Sequence, residues 1–122
     1  MERTAWDHWL DRYERAWRTA GTESLRDLFT EEASYSPGPY EEPRRGLAAI
    51  GEFWDQEREG PDEVFTMTRE VVAVEGATGV VRVEVRYGEP LDREYRDMWV
   101  VVLDADGRCS HFEEWPFAPS VG

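Results

Sequence analysis

The sequence predicts an α+β domain in which three helices come first and an antiparallel sheet follows. Three observations carry this. Apolar residues recur at helical spacing as far as Trp54, the period changes to two beyond Val64, and 122 residues suit one domain with a single core. No repeat, linker or low-complexity stretch interrupts the chain, so residues 1–122 are read as one domain.

From Thr4 to Ala20, the residues Trp6, Trp9, Leu10, Tyr13, Ala16, Trp17 and Ala20 fall on one helical face. Asp7, Asp11, Glu14 and Arg18 fall on the other. Thr4 with Asp7 three residues on resembles a capping box, and Gly21 stands where a left-handed terminating residue is wanted. Leu25, Leu28 and Phe29 predict a short second helix, capped by Thr22 or Ser24. Ala33 to Ser36 suits a brief strand. Pro37, Gly38, Pro39 and Pro43 then exclude regular structure until Gly46. Leu47, Ile50, Phe53 and Trp54 predict the third helix, ending at Gly60-Pro61.

Val64 to Glu75, Val80 to Tyr87 and Glu94 to Leu103 are rich in β-branched and aromatic residues. In the middle one Val81, Val83, Val85 and Tyr87 alternate with Arg82, Glu84 and Arg86, so one face is buried and the other wet. Glu75–Gly79 and Asp104–Gly107 read as hairpin turns, which sets a last strand at about Arg108 to Trp115.

Composition excludes several functions. The net charge of −13 is spread evenly, with 14 acids and 8 Arg in residues 1–61 against 13 and 6 in residues 62–122. A uniform negative field repels phosphate backbones and anionic lipid, so neither nucleic acid nor a membrane surface is an expected partner. All 14 basic residues are Arg, which suggests codon bias rather than mechanism. Cys109 is the only cysteine, no stretch is long and apolar enough to span a membrane, and the N-terminus lacks a signal-peptide pattern. A cytoplasmic protein is the expectation. Two His and scattered carboxylates lack metal-ligand spacing, and Gly76 and Gly79 lie between strands rather than in a phosphate-binding loop. Neither metal nor cofactor is expected.

Three segments resemble the nuclear transport factor two-like, or SnoaL-like, superfamily, which includes ketosteroid isomerases and polyketide cyclases. They are Tyr13-Glu14-Arg15-Ala16-Trp17, Leu28 to Tyr35, and Pro43 to Trp54. The likeness continues through Glu70 to Val74 and Tyr95-Arg96-Asp97 to Phe112-Glu113-Glu114-Trp115, which is nearly the whole chain. It implies a cone-shaped α+β barrel, a strongly curved sheet wrapped around the helices with an apolar pocket opening near the proline-rich loop. It also implies a homodimer through the outer sheet face. The fold hosts isomerases, cyclases, dehydratases, epoxide hydrolases and non-catalytic binding domains, so it does not choose among them.

In the isomerases a tyrosine and a protonated aspartic acid hydrogen-bond a developing oxyanion, and the resemblance puts Tyr13 and Asp97 at those positions. A carboxyl among Trp, Tyr and Val is disfavoured as an anion and can donate. Asp97 could instead pair with Arg93 or Arg96 at a strand edge. The isomerase base falls at Pro37, which cannot move a proton. Glu41 and Glu42 lie nearby in what reads as a solvated loop.

The last hairpin decides what joins Asp97. A bulged turn pairing Asp104 with Arg108 places Asp97 opposite Trp115, Trp99 opposite Glu113 and Val101 opposite His111, making His111 and Glu113 the acid/base candidates. A two-residue turn would put Phe112 and Glu114 on that face instead. The bulged register is preferred, because Ser110 to Trp115 then also lines up with the isomerase strand that ends in a pocket aromatic. Trp9, Trp17, Tyr35, Phe53, Trp54, Val83, Trp99 and Trp115 are the expected ligand-contacting residues, and a small apolar carbonyl or polyketide-like molecule is the expected ligand. A non-catalytic ligand-binding or dimerisation module is the alternative, and the proline at the base position favours it.

Overall fold

The computed structural model describes residues 2–58 and 62–119. The predicted end of the third helix at Gly60-Pro61 lies outside them. Helix α1 runs Arg3–Trp17 and buries Trp6, Trp9, Leu10, Tyr13 and Ala16, the predicted apolar face. It starts one residue before the expected Thr4, so the Thr4–Asp7 box does not form. Glu2 holds the N-cap position without a side-chain bond. The helix also stops three residues before Ala20. Its end is held from outside by Arg58, whose guanidinium donates to the carbonyls of Ala16, Trp17, Thr19 and Gly21. A helix end leaves such carbonyls short of backbone donors; here Ala16 also accepts from the Thr19 N–H.

Helix α2 is the single turn Leu25–Leu28, and β1 follows directly over Phe29–Ser36. β1 begins four residues before the predicted Ala33, because Phe29 pairs in parallel with Cys109 of β6 (Cys109–Phe117). A two-residue strand β2, Arg44–Arg45, pairs antiparallel with Ser34 and Tyr35 inside the stretch expected to be irregular. Gly46, at φ 86°, leads into α3, Leu47–Glu57.

The remaining strands, β3 (Phe65–Glu75), β4 (Thr78–Tyr87) and β5 (Arg93–Leu103), form the expected meander. The six-stranded sheet has the order β2-β1-β6-β5-β4-β3, and only β1–β6 is parallel. Gly79 lies within β4 rather than in the preceding turn. A Cβ there would sit 2.3 Å from the Trp6 indole nitrogen, which donates to the Val101 carbonyl. Core side chains from α1 and α3 fill the concave side of this open, curved sheet, where Trp9, Tyr13, Phe29, Tyr35 and Phe112 pack ring against ring.

The last hairpin departs from the expected register. Its turn forms as predicted: Asp104 N–H donates to the Arg108 carbonyl at 2.8 Å and Gly107 adopts φ 79°. One extra residue then enters β6, since Leu103 faces Cys109 but Val102 faces His111, leaving Ser110 unpaired. Asp97 therefore faces Pro116 rather than Trp115, Trp99 faces Glu114 rather than Glu113, and Val101 faces Phe112 rather than His111. Because side chains alternate, that one-residue slip turns every later side chain of the strand over.

Candidate functional site

A cavity of about 570 Å³ opens between the concave face of the sheet, the end of α1, α3 and the proline-rich loop. Strand β5 supplies one wall, with Arg93, Tyr95, Asp97 and Trp99 alternating inward. The expected catalytic residues Tyr13 and Asp97 and the expected contact residues Trp17, Tyr35, Phe53 and Trp99 line it. Trp9, Trp54 and Val83 are buried in the packing behind this lining. Trp115 is 43% exposed on the outer face.

Among the described residues, Asp97 is the one charged residue buried in the core, 3% exposed. The arginines expected to compete for it are engaged elsewhere: Arg96 pairs with Glu84, and Arg93 with Glu63 and Asp92. Its Oδ2 accepts from the Trp99 indole at 3.2 Å, and its Oδ1 has no hydrogen-bond partner among the described residues. Glu114, brought to this face by the Ser110 bulge, is its neighbour in the cavity wall. Burial pushes the Glu114 carboxyl well above the usual range, and the adjoining Asp97 carboxyl pushes it further. Glu114 therefore keeps its proton where a solvated carboxyl would lose it.

Tyr13 and Tyr35 meet with their hydroxyls 3.4 Å apart. Burial drives both phenols well above their ordinary pKa, so each stays a neutral donor. Pro37 is buried and lines the cavity, and its ring offers no proton. Glu41 reaches the same cavity from the loop, and its carboxyl lies within 2.9 Å of where a Gly38 Cβ would be. A side chain at position 38 would displace it.

The expected acid/base candidates His111 and Glu113 lie on the opposite, outer face. There His111 Nε2 meets Glu113 Oε1 at 2.9 Å, and the Trp115 indole donates to Glu113 Oε2 at 2.7 Å. These bonds hold the Glu113 carboxyl below its ordinary range. Glu114 is expected on the cavity face only in the alternative register, and Glu41 only as a solvated loop carboxylate. The sequence does carry a signal for Glu114: Cys109 and Phe112 are both apolar at a spacing of three, which a regular strand would put on opposite faces. Among the described residues no group of three His, Cys, Asp or Glu side chains is arranged to hold a metal ion, and no helix is long and apolar enough to cross a membrane.

Solved structures share this architecture. SalBIII, an epoxide hydrolase/cyclase-like enzyme with a role in pyran ring formation in the polyether salinomycin, superposes with a TM-score of 0.73 at 17% identity, covering 91% of this chain and 89% of its own. A candidate polyketide cyclase from Sinorhizobium meliloti gives 0.69 at 18%, covering 90% and 97%. A candidate ketosteroid isomerase from Kribbella flavida gives 0.69 at 21%, covering 98% and 82%. At these identities the likeness is one of fold. No match to a curated protein was found. The SnoaL-like domain model matches residues 10–112, from the buried face of α1 to the aromatic residue after the β6 bulge, and the chain belongs to that family.

Proposed function

We propose that the protein is an acid/base enzyme of isomerase, cyclase or dehydratase type, acting without a cofactor on a small, largely apolar carbonyl or polyketide-like molecule. The observation that carries this is the Asp97–Glu114 pair: a buried carboxyl with one unpartnered oxygen beside a second carboxyl whose proton is held unusually tightly. The protonated member of the pair donates to the substrate oxygen as charge develops there, and the ionised member accepts a proton from the adjoining carbon or hydroxyl. Tyr13, hydrogen-bonded to Tyr35, supplies a second donor. The cavity size suits a small organic molecule, and the rings of Trp17, Tyr35 and Phe53 suit a flat one.

The test is a turnover screen with cyclic enones, β-hydroxy ketones and hydroxy-epoxides, read by mass spectrometry. Asp97→Asn and Glu114→Gln are each expected to lose on the order of 10²-fold to 10⁴-fold in rate while binding persists. Full turnover in both variants would remove the pair from the mechanism. Ligand binding without turnover of any compound would favour a binding module, as the proline at position 37 does. We also propose a homodimer through the outer sheet face, and a cytoplasmic setting that suits the buried thiol of Cys109.

A further inference from the structure

The cavity carries a charge imbalance that proton transfer alone does not explain. Four carboxyls line it, those of Glu41, Glu57, Asp97 and Glu114, against the guanidiniums of Arg58 and Arg93. Both guanidiniums are engaged: Arg58 by the carbonyls at the end of α1, Arg93 by Glu63 and Asp92. Among the described residues, none of the four carboxyls takes part in an ion pair.

Exposed carboxylates at a cavity mouth are satisfied by water. Asp97 is 3% exposed, lines the cavity, and keeps Oδ1 without a donor. A buried carboxyl oxygen without a donor is costly, so an occupant that brings an N–H or O–H to it makes a bond that no side chain of the wall supplies. The aromatic lining favours a positive charge on that occupant. Guanidiniums of this chain already sit over four of its rings: Arg18 over Phe65 at 3.8 Å, Arg93 over Tyr87 at 4.4 Å, Arg44 over Phe53 at 5.1 Å and Arg58 over Trp17 at 5.8 Å. Ring faces attract cations, and a chain of net charge −13 concentrates them from solution.

We infer that the molecule this cavity takes carries an amine, its apolar or aromatic body joined to a protonated ammonium group whose N–H reaches Asp97 Oδ1. Its charge is balanced by the Asp97–Glu114 pair and, further out, by Glu41 and Glu57. A neutral alcohol of the same shape supplies a donor to Oδ1 and leaves the carboxylates uncompensated. A carboxylic acid of that shape adds to the surplus. The inference rests on this cavity being the working site, as proposed above, and adds the charge of what enters it.

The probes are 3-phenylpropylamine, 3-phenylpropanol and 3-phenylpropanoate with their naphthyl counterparts, titrated at pH 7 and low salt by calorimetry and tryptophan fluorescence. The amines are expected to bind about tenfold more tightly than the alcohols, with the carboxylates weakest. Asp97→Asn brings amine and alcohol to similar affinities, and Glu41→Gln, altering an exposed loop side chain, lowers the advantage about threefold. Glu75→Gln, at the turn end of β3, serves as the surface control and changes nothing. Equal or tighter binding of alcohol or carboxylate, no binding by any amine, or an amine advantage that survives both cavity substitutions overturns the inference. Turnover of neutral compounds without an amine preference overturns it too, while the acid/base reading stands. Amine binding that needs Asp97, with no compound of the turnover screen converted, supports it and favours a binding module.

Discussion

Glu113 and Glu114 are chemically identical neighbours with opposite environments, and the alternation of a strand is the whole cause. Glu114 turns into the cavity wall, where burial and Asp97 raise its carboxyl. Glu113 turns outward, where bonds from His111 and Trp115 lower it. The signs of their contributions to stability therefore differ. A raised carboxyl favours the protonated fold, so the Glu114 contribution is full below the unfolded value of about 4.3 and is lost as pH rises through the folded one. The Glu113 contribution is present above about 4.3 and is lost as pH falls through its lowered value. Melting curves from pH 3 to 9 check this. Glu114→Gln is expected to flatten the decline of Tm on the alkaline side, and Glu113→Gln the decline on the acid side, the latter weakly because its carboxyl is partly exposed. If both variants flatten the same limb, the two side chains do not face opposite ways. Asp97 is legible in the sequence because Tyr95 and Trp99, which share its face of the strand, mark an aromatic wall. Glu114 is legible only as the alternative to Glu113, because its face depends on one extra residue, Ser110, which enters β6 between the turn and the cavity wall.

At the scale of the element, the regular segments are legible and their ends are not. The apolar faces of α1 and α3 and the alternation of β4 follow from spacing alone, because burial on one side imposes a period. The ends depend on residues distant in sequence. The α1 terminus is held by Arg58, 37 to 42 positions away from the carbonyls it binds. The start of β1 is set by its parallel partner Cys109. Arg58 is accordingly expected to matter more than its place just beyond α3 suggests. Arg58→Met leaves the carbonyls of Trp17, Thr19 and Gly21 without a donor and should cost about 2 kcal/mol or more in chemical denaturation. Arg58→Lys should recover little of it, since one ammonium cannot match a planar fork shared by four acceptors. Gly79→Ala tests a packing limit in the same way. Its Cβ would overlap the Trp6 indole, and a loss of about 1–3 kcal/mol is expected. Gly76→Ala, at φ 59° with nothing near its Cβ, should show only the smaller backbone cost of about 1 kcal/mol.

For the whole molecule, the surplus of 13 negative charges bears on association, and its distribution over the sheet decides how. On the outer face the charges pair across strands, Arg82 with Glu70, Arg86 with Glu94 and Arg96 with Glu84, and His111 meets Glu113. Between them lie half-buried Met98, Val100 and Val102 beside Trp115, 43% exposed. A locally neutral, partly apolar face on an otherwise negative molecule is the surface on which two copies can meet with least repulsion. The rest of each copy still repels the other, and that repulsion is screened over about 10 Å at 0.1 M salt. The dimer proposed above should therefore tighten as salt rises, the reverse of an association held by opposite charges. Sedimentation equilibrium across a salt series checks this, with Trp115→Glu as the variant expected to remain monomeric at every salt concentration. An association that weakens with salt, or that survives Trp115→Glu, would place the contact on another face of the molecule.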